Sequence, residues 1–150
     1  MADLKLDLLR FCEDQVGARL SRIEERIRSL QESLDSETKS SAGDKHETGR
    51  AMIHLEREKL GQQLLMAEKA KELLAMVDIE KKSKNIRLGS LVHTSSQSYF
   101  IAISAGEYKS EDTSVFCVSL SAPIGQLMLG KSKGDHFTFN NKTFEIFQVL

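Results

Sequence analysis

The chain has 150 residues, of which 40% are hydrophobic and 29% charged, with a formal net charge of -1. That size suits one ordinary domain or two small ones, and the composition is that of a globular or coiled chain rather than a disordered one. With 21 basic against 22 acidic residues, there is no global basic field to support duplex DNA binding, so any nucleic-acid contact must be local or delivered by a partner.

The first residues, Met1-Ala2-Asp3-Leu4-Lys5-Leu6-Asp7, are interrupted by charges and lack the apolar core of a signal peptide. No stretch approaches the ~18 consecutive apolar residues of a membrane span. A soluble, cytoplasmic protein is expected. Cys12 and Cys117 lie far apart, no C-x-x-C occurs, and the four histidines show no zinc spacing. The expectation is buried thiols in a reducing compartment.

Val16, Leu20, Ile23, Ile27, Leu30 and Leu34 alternate spacings of four and three, which predicts a long helix with a narrow seam toward one partner helix. Leu9 and Cys12 extend its apolar side. Residues 35–49 are rich in Ser, Thr, Gly and charge and predict a polar connection. A second helix is predicted from Arg50 to about Val77, with Ala51, Met52, Leu55, Leu60, Leu64, Ala67, Ala70 and Leu74 on a broad apolar side. Its internal Gly61 costs roughly 1 kcal/mol relative to Ala. The two helices predict an antiparallel coiled-coil hairpin over residues 1–79, with an acidic tip loop near 36–49. At 1.5 Å per residue, a run of ~28 residues gives a stalk of about 40 Å.

The pattern changes near residues 77–85. The cluster Glu80-Lys81-Lys82-Ser83-Lys84 predicts an exposed linker over 80–87. Strands are predicted at 90–93, 98–104, 115–120, 136–140 and 143–149, several of them alternating as in Phe137-Thr138-Phe139. Asn140-Asn141-Lys142 predicts a hairpin turn between the last two. Between strands, Ser121 to Gly130 predicts a short helix, with Ser121 as N-cap, Pro123 in the first turn and Gly130 after the last. The fold class is therefore α+β, a helical hairpin followed by a small domain over 88–150. A domain of that size can fold alone but is marginal.

The segment Leu120-Ser121-Ala122-Pro123-Ile124-Gly125-Gln126-Leu127-Met128-Leu129-Gly130-Lys131, followed by Gly134-Asp135, resembles the signature of the Gre transcript-cleavage factors of bacterial RNA polymerase. Ile86-Arg87-Leu88-Gly89-Ser90-Leu91-Val92 is similar to that family's approach to its first strand. The resemblance implies a coiled-coil hairpin before an FKBP-like domain. It also implies that Ser121, Pro123, Ile124, Gly125, Gly130, Lys131, Gly134 and Asp135 belong to a partner-binding motif, several of them structural. The family's domain docks at the polymerase's secondary channel while its coiled coil reaches the active site. Its tip motif reads G-D-x-x-E-N-x-E-Y. Here Gly43-Asp44-Lys45-His46-Glu47-Thr48-Gly49-Arg50-Ala51 places Asp44 and Glu47 on the two acidic positions, with Thr48, Arg50 and Ala51 in place of Asn, Glu and Tyr.

The function the resemblance implies is rescue of backtracked complexes by stimulating the polymerase's own RNA cleavage. The partners are the polymerase and, indirectly, nascent RNA. The chain would be an accessory factor, not an enzyme, and would have no cofactor of its own. Mg²⁺ would be shared with the polymerase site, since that ion takes oxygen ligands and a second, weakly held ion can be retained by an incoming carboxylate. Three other readings stand beside this one. Asp44 and Glu47 also fit an N-cap and capping box. A non-cleaving secondary-channel regulator and a general coiled-coil interaction protein fit the same architecture. Arg19, Arg22 and Arg26 share a face, as a solvated flank or as a contact for channel wall or RNA. A peptidyl-prolyl isomerase is disfavoured, because such a pocket is normally aromatic-lined and few aromatics stand outside predicted strands.

Overall fold

The computed structural model describes the backbone of residues 2–39 and 43–150 and the side chains of residues 3–36 and 48–150. Two long helices come first, α1 (Ala2–Lys39) and α2 (Gly43–Ala75). There follow β1 (Leu91–Thr94), β2 (Ser98–Ala102), β3 (Gly106–Ser110), β4 (Thr113–Ser119), α3 (Pro123–Met128), β5 (His136–Phe139) and β6 (Lys142–Val149). The fold is α+β, a helical hairpin followed by a mixed six-stranded sheet domain.

Both long helices run further than the polarity of residues 35–49 predicts, since α1 extends to Lys39 and α2 begins at Gly43. Ser, Thr and charged residues each cost only tenths of a kcal/mol in a helix, and lengthening an existing helix is far cheaper than starting one. β3 was not predicted. Its sequence, Gly106-Glu107-Tyr108-Lys109-Ser110, is mostly exposed and carries charge, as edge strands do.

The chain forms two compact units, one made of Met1–Gln15 with Glu72–Leu150 and the other of Val16–Lys71. This division differs from the expected boundaries at 79 and 88. The first 15 residues group with the sheet, and so does the expected linker. Ile86 is fully buried in the sheet's core, its N–H donates to the Lys131 carbonyl at 2.8 Å, and its own carbonyl accepts from the Gly130 N–H at 2.9 Å.

In the Val16–Lys71 unit the predicted seam is present. Ile23, Leu60 and Ala67 are its buried centre, with Leu20, Ile27, Leu30 and Leu64 packed against them. The short connection between α1 and α2 makes the pairing antiparallel, and an exposed Arg26–Glu56 ion pair at 2.7 Å bridges the two helices. Met52 and Leu55, expected on the apolar side, are 68% and 57% exposed. Leu60, Leu64 and Ala67 set the phase of α2, and at seven-residue spacing from Leu60 it is Ile53 that turns inward and is half-buried.

In the other unit the strand order is β3-β4-β2-β1-β6-β5. β2 and β4 are parallel and the remaining neighbours antiparallel. The β5–β6 hairpin pairs Phe139 with Lys142 across Asn140 and Asn141, at φ 52° and 64°. Those are the left-handed conformations a two-residue turn needs, and Asn tolerates them best among non-glycine residues. One sheet face carries Val92, Tyr99, Ile101, Phe137, Phe144 and Ile146, closed by Met128 of α3. The other carries Leu91, Phe100, Ala102, Val115 and Cys117, all buried. The start of α1 lies on that second face. Phe11 sits edge-on to Tyr108 with ring centroids 5.5 Å apart, and the Cys12 thiol meets that of Cys117.

Candidate functional site

The Ser121–Asp135 segment is built mainly as a corner. Pro123 opens α3, where its missing N–H costs nothing. The N-cap is Ala122, not Ser121, and makes no side-chain cap. Ser121 instead shares a hydroxyl hydrogen bond with Ser119 at 2.8 Å, and its N–H donates to the same hydroxyl at 3.1 Å. The strand end thus supplies the ordering that a cap would have given.

Gly125 is buried because α3 passes directly over the end of β4. A side chain there would run into the Ser119 carbonyl and the Leu120 backbone. Gly130, at φ 81°, ends the helix and accepts from Asn85 Nδ2 at 2.8 Å. Lys131 contributes its carbonyl to Ile86. Gly134, at φ 92°, donates to the Ile146 carbonyl at 2.8 Å, and the Asp135 carboxylate accepts from the Ser132 N–H at 2.8 Å. Four of the eight motif residues (Gly130, Lys131, Gly134 and Asp135) therefore tie residues 85–86, the end of α3 and β6 together, while Gly125 seats α3 on the end of β4.

Ile124 differs from these, because it lines a surface groove. The groove encloses about 320 Å³ and is floored by Tyr99, Phe116, Val118, Ile124, Phe139 and Phe144, with Gln97, Asn140 and Lys142 at its rim. Tyr99 and Phe116 lie 6.3 Å apart, and Phe137 stacks on Phe144 at 5.1 Å. The Tyr99 hydroxyl donates to Gln97 Oε1 at 3.1 Å, and burial raises its pKa. The aromatic lining expected to be missing is present, because the strands themselves provide it on one face. Leu127 and Leu129 of the same corner are exposed. This unit thus offers an apolar, aromatic-floored surface with a few polar groups, the general form of a binding site.

Asp44 and Glu47 fall in the first turn of α2 as its bounds run, and their side chains lie outside the described residues. On the hairpin flank, Arg19, Arg22 and Arg26 do come together, around a groove completed by Ile23, Gln63 and Met66. Spacing on α1 located the arginines. The α2 residues opposite them, Gln63 and Met66, flank the expected seam positions Leu60, Leu64 and Ala67 and were not singled out in the sequence. Among the described residues no group of three or more His, Cys, Asp or Glu side chains could hold a metal ion. His93 is a satisfied strand residue, its Nδ1 2.7 Å from the Ser98 hydroxyl, and burial lowers its pKa. Among the described residues no helix is long and apolar enough to cross a membrane.

No protein-family model matches the chain, and no curated protein matches it. Among the solved structures that match, one described as that of the transcription factor Gfh1 aligns over 91% of this chain and 91% of its own, at 19% identity and a TM-score of 0.37.

Proposed function

We propose that this protein is a Gre-type accessory factor of bacterial RNA polymerase. In this reading the sheet unit docks on the polymerase, and the hairpin carries Asp44 and Glu47 to the catalytic centre. The observation that carries it is the coincidence of two separate motifs. Gly43-Asp44-x-x-Glu47 opens the second helix of an antiparallel hairpin, and Ser121 to Asp135 forms the α3 corner of the sheet unit, beside an apolar groove. Neither motif alone would suffice, since a D-x-x-E at a helix start is also a cap.

Two carboxylates one helical turn apart supply hard oxygen donors of the kind Mg²⁺ takes, but too few to hold it unaided. Bound between this tip and a partner's ligands, the ion would stabilise the leaving oxygen or activate water in RNA hydrolysis. Asp44 and Glu47 supply negative charge and hydrogen-bond acceptors that orient water. Thr48, Arg50 and Ala51, which replace Asn, Glu and Tyr, favour one second reading, a factor that occupies the channel without stimulating cleavage.

The deciding experiment is RNA cleavage by a stalled, backtracked polymerase from the same source, with and without the full chain. Stimulation that falls at least tenfold in Asp44→Asn and Glu47→Gln, with binding unchanged, supports the cleavage reading. Inhibited synthesis without cleavage supports the second reading. If the two substitutions are silent, the pair is a helix cap, because Asn and Gln serve those positions nearly as well.

A further inference from the structure

The two cysteines of this chain meet in the fold. Cys12 lies on α1, in the stretch that covers the sheet, and is 0% exposed. Cys117 lies in β4 and is 3% exposed, paired across the strands with Phe100 and Gly106. Their thiols hydrogen-bond to each other, and the Cys12 sulfur also accepts from the Ile103 backbone N–H. Both are free thiols. The contact joins the start of the chain to a central strand within a single compact unit.

The geometry points to a redox-modification site: we infer that Cys12 and Cys117 form a reversible intramolecular disulfide with a hydroperoxide as oxidant, stapling the start of α1 to the sheet.

Cys12 is the attacking sulfur. The hydrogen bond from Cys117 and the Ile103 N–H lower its pKa against the opposing effect of burial, while Cys117, donating to it and desolvated, is pushed far up. The Cys12 thiolate attacks one peroxide oxygen, so an S–O bond forms and the O–O bond breaks. The departing hydroxide takes up a proton and leaves as water. The Cys117 sulfur then attacks the Cys12 sulfur, so the S–S bond forms, the S–O bond breaks, and the second oxygen leaves as water with the Cys117 proton. The two sulfurs lose two electrons together and the peroxide gains two. Access comes from opening of the first turns of α1, which is local and needs no global unfolding. Once the helix closes again, the second thiol is already in place, which raises its effective concentration far above that in the unfolded chain.

The test uses the full, reduced chain and hydrogen peroxide, with urea-unfolded chain as control. Intact mass and peptide mapping after alkylation should show the Cys12–Cys117 cross-link as the main product of the folded sample, and as a smaller share of the product in the unfolded one, where the second thiol is not held in place. Dithiothreitol should reverse it, and the oxidised form should melt more than about 5 °C above the reduced one. In Cys117→Ser the product should stop at a sulfenic acid on Cys12 that dimedone traps. Thiols that stay alkylatable under conditions that oxidise the unfolded chain would overturn the inference. So would oxidation that ends in cross-linked pairs of chains or in a sulfinic acid. The wild-type comparison decides the matter even if the Cys117 variant folds poorly.

Discussion

The two compact units bury their apolar residues in different ways. The sheet unit has a core on each face, one closed by Met128 of α3 and the other by the first turns of α1. Segments from the start, middle and end of the sequence meet there, so removing any one uncovers a whole face. The hairpin unit has a single seam of Ile23, Leu60 and Ala67 with four half-buried neighbours. Its Arg26–Glu56 ion pair is exposed on both sides, and such pairs contribute about 0–1 kcal/mol. Met52, Leu55, Leu65 and Met66 stand in solvent. The sheet unit is therefore expected to unfold cooperatively, and the hairpin to open locally at lower cost.

The sharpest way to break this contrast is to cut the chain where its sequence changes character. A fragment of residues 88–150 should lack a cooperative thermal melt. It has lost Ile86 from one core and the α1 cover over Leu91, Phe100 and Val115 from the other. Residues 1–15 joined through a flexible Gly/Ser linker to residues 72–150 should recover a sharp melt by circular dichroism. If residues 88–150 melt as sharply as the full chain, the α1 cover is dispensable and the contrast fails.

A smaller effect is expected at Gly125. Gly125→Ala must push α3 away from the Ser119 carbonyl, at a cost of about 1–3 kcal/mol, as for other overpacked sites. Urea denaturation should show the midpoint of the sheet unit falling while the hairpin's helical signal is retained. An unchanged midpoint would mean that the corner yields without strain.

The smallest effect has the opposite sign and belongs to the hairpin. Gly61 has open space where a side chain would go, so Gly61→Ala should stabilise α2 by about 1 kcal/mol through helix propensity alone. Hydrogen exchange across residues 50–70 should slow roughly fivefold while that of β1, β2 and β6 stays the same. Equal slowing in both units would show that they open together and would remove the distinction between them.

Much of this protein is legible in its sequence, where local chemistry decides the outcome. The α1 seam follows from a three–four repeat that has only one helical solution. The β5–β6 turn follows from Asn140-Asn141, and the ends of α3 from Pro123 and Gly130, because each answers a backbone requirement within a few residues. The resemblance at Ser121–Asp135 marked a segment whose geometry is special, and glycine at 125, 130 and 134 is the reason. Other features depended on partners distant in the chain. Periodicity could not phase α2, because Met52 and Leu55 are as apolar as Ile53 and only packing on α1 selects between them. The domain boundary was hidden because the first turns of α1 continue the same helical pattern whether they face another helix or a sheet. The aromatic groove was hidden because Tyr99, Phe116, Phe139 and Phe144 come from four strands, and only the sheet's order sets them side by side. The meeting of Cys12 with Cys117 has the same origin. Short-range sequence governs backbone conformation, while burial is a property of surfaces that meet only when the chain has folded.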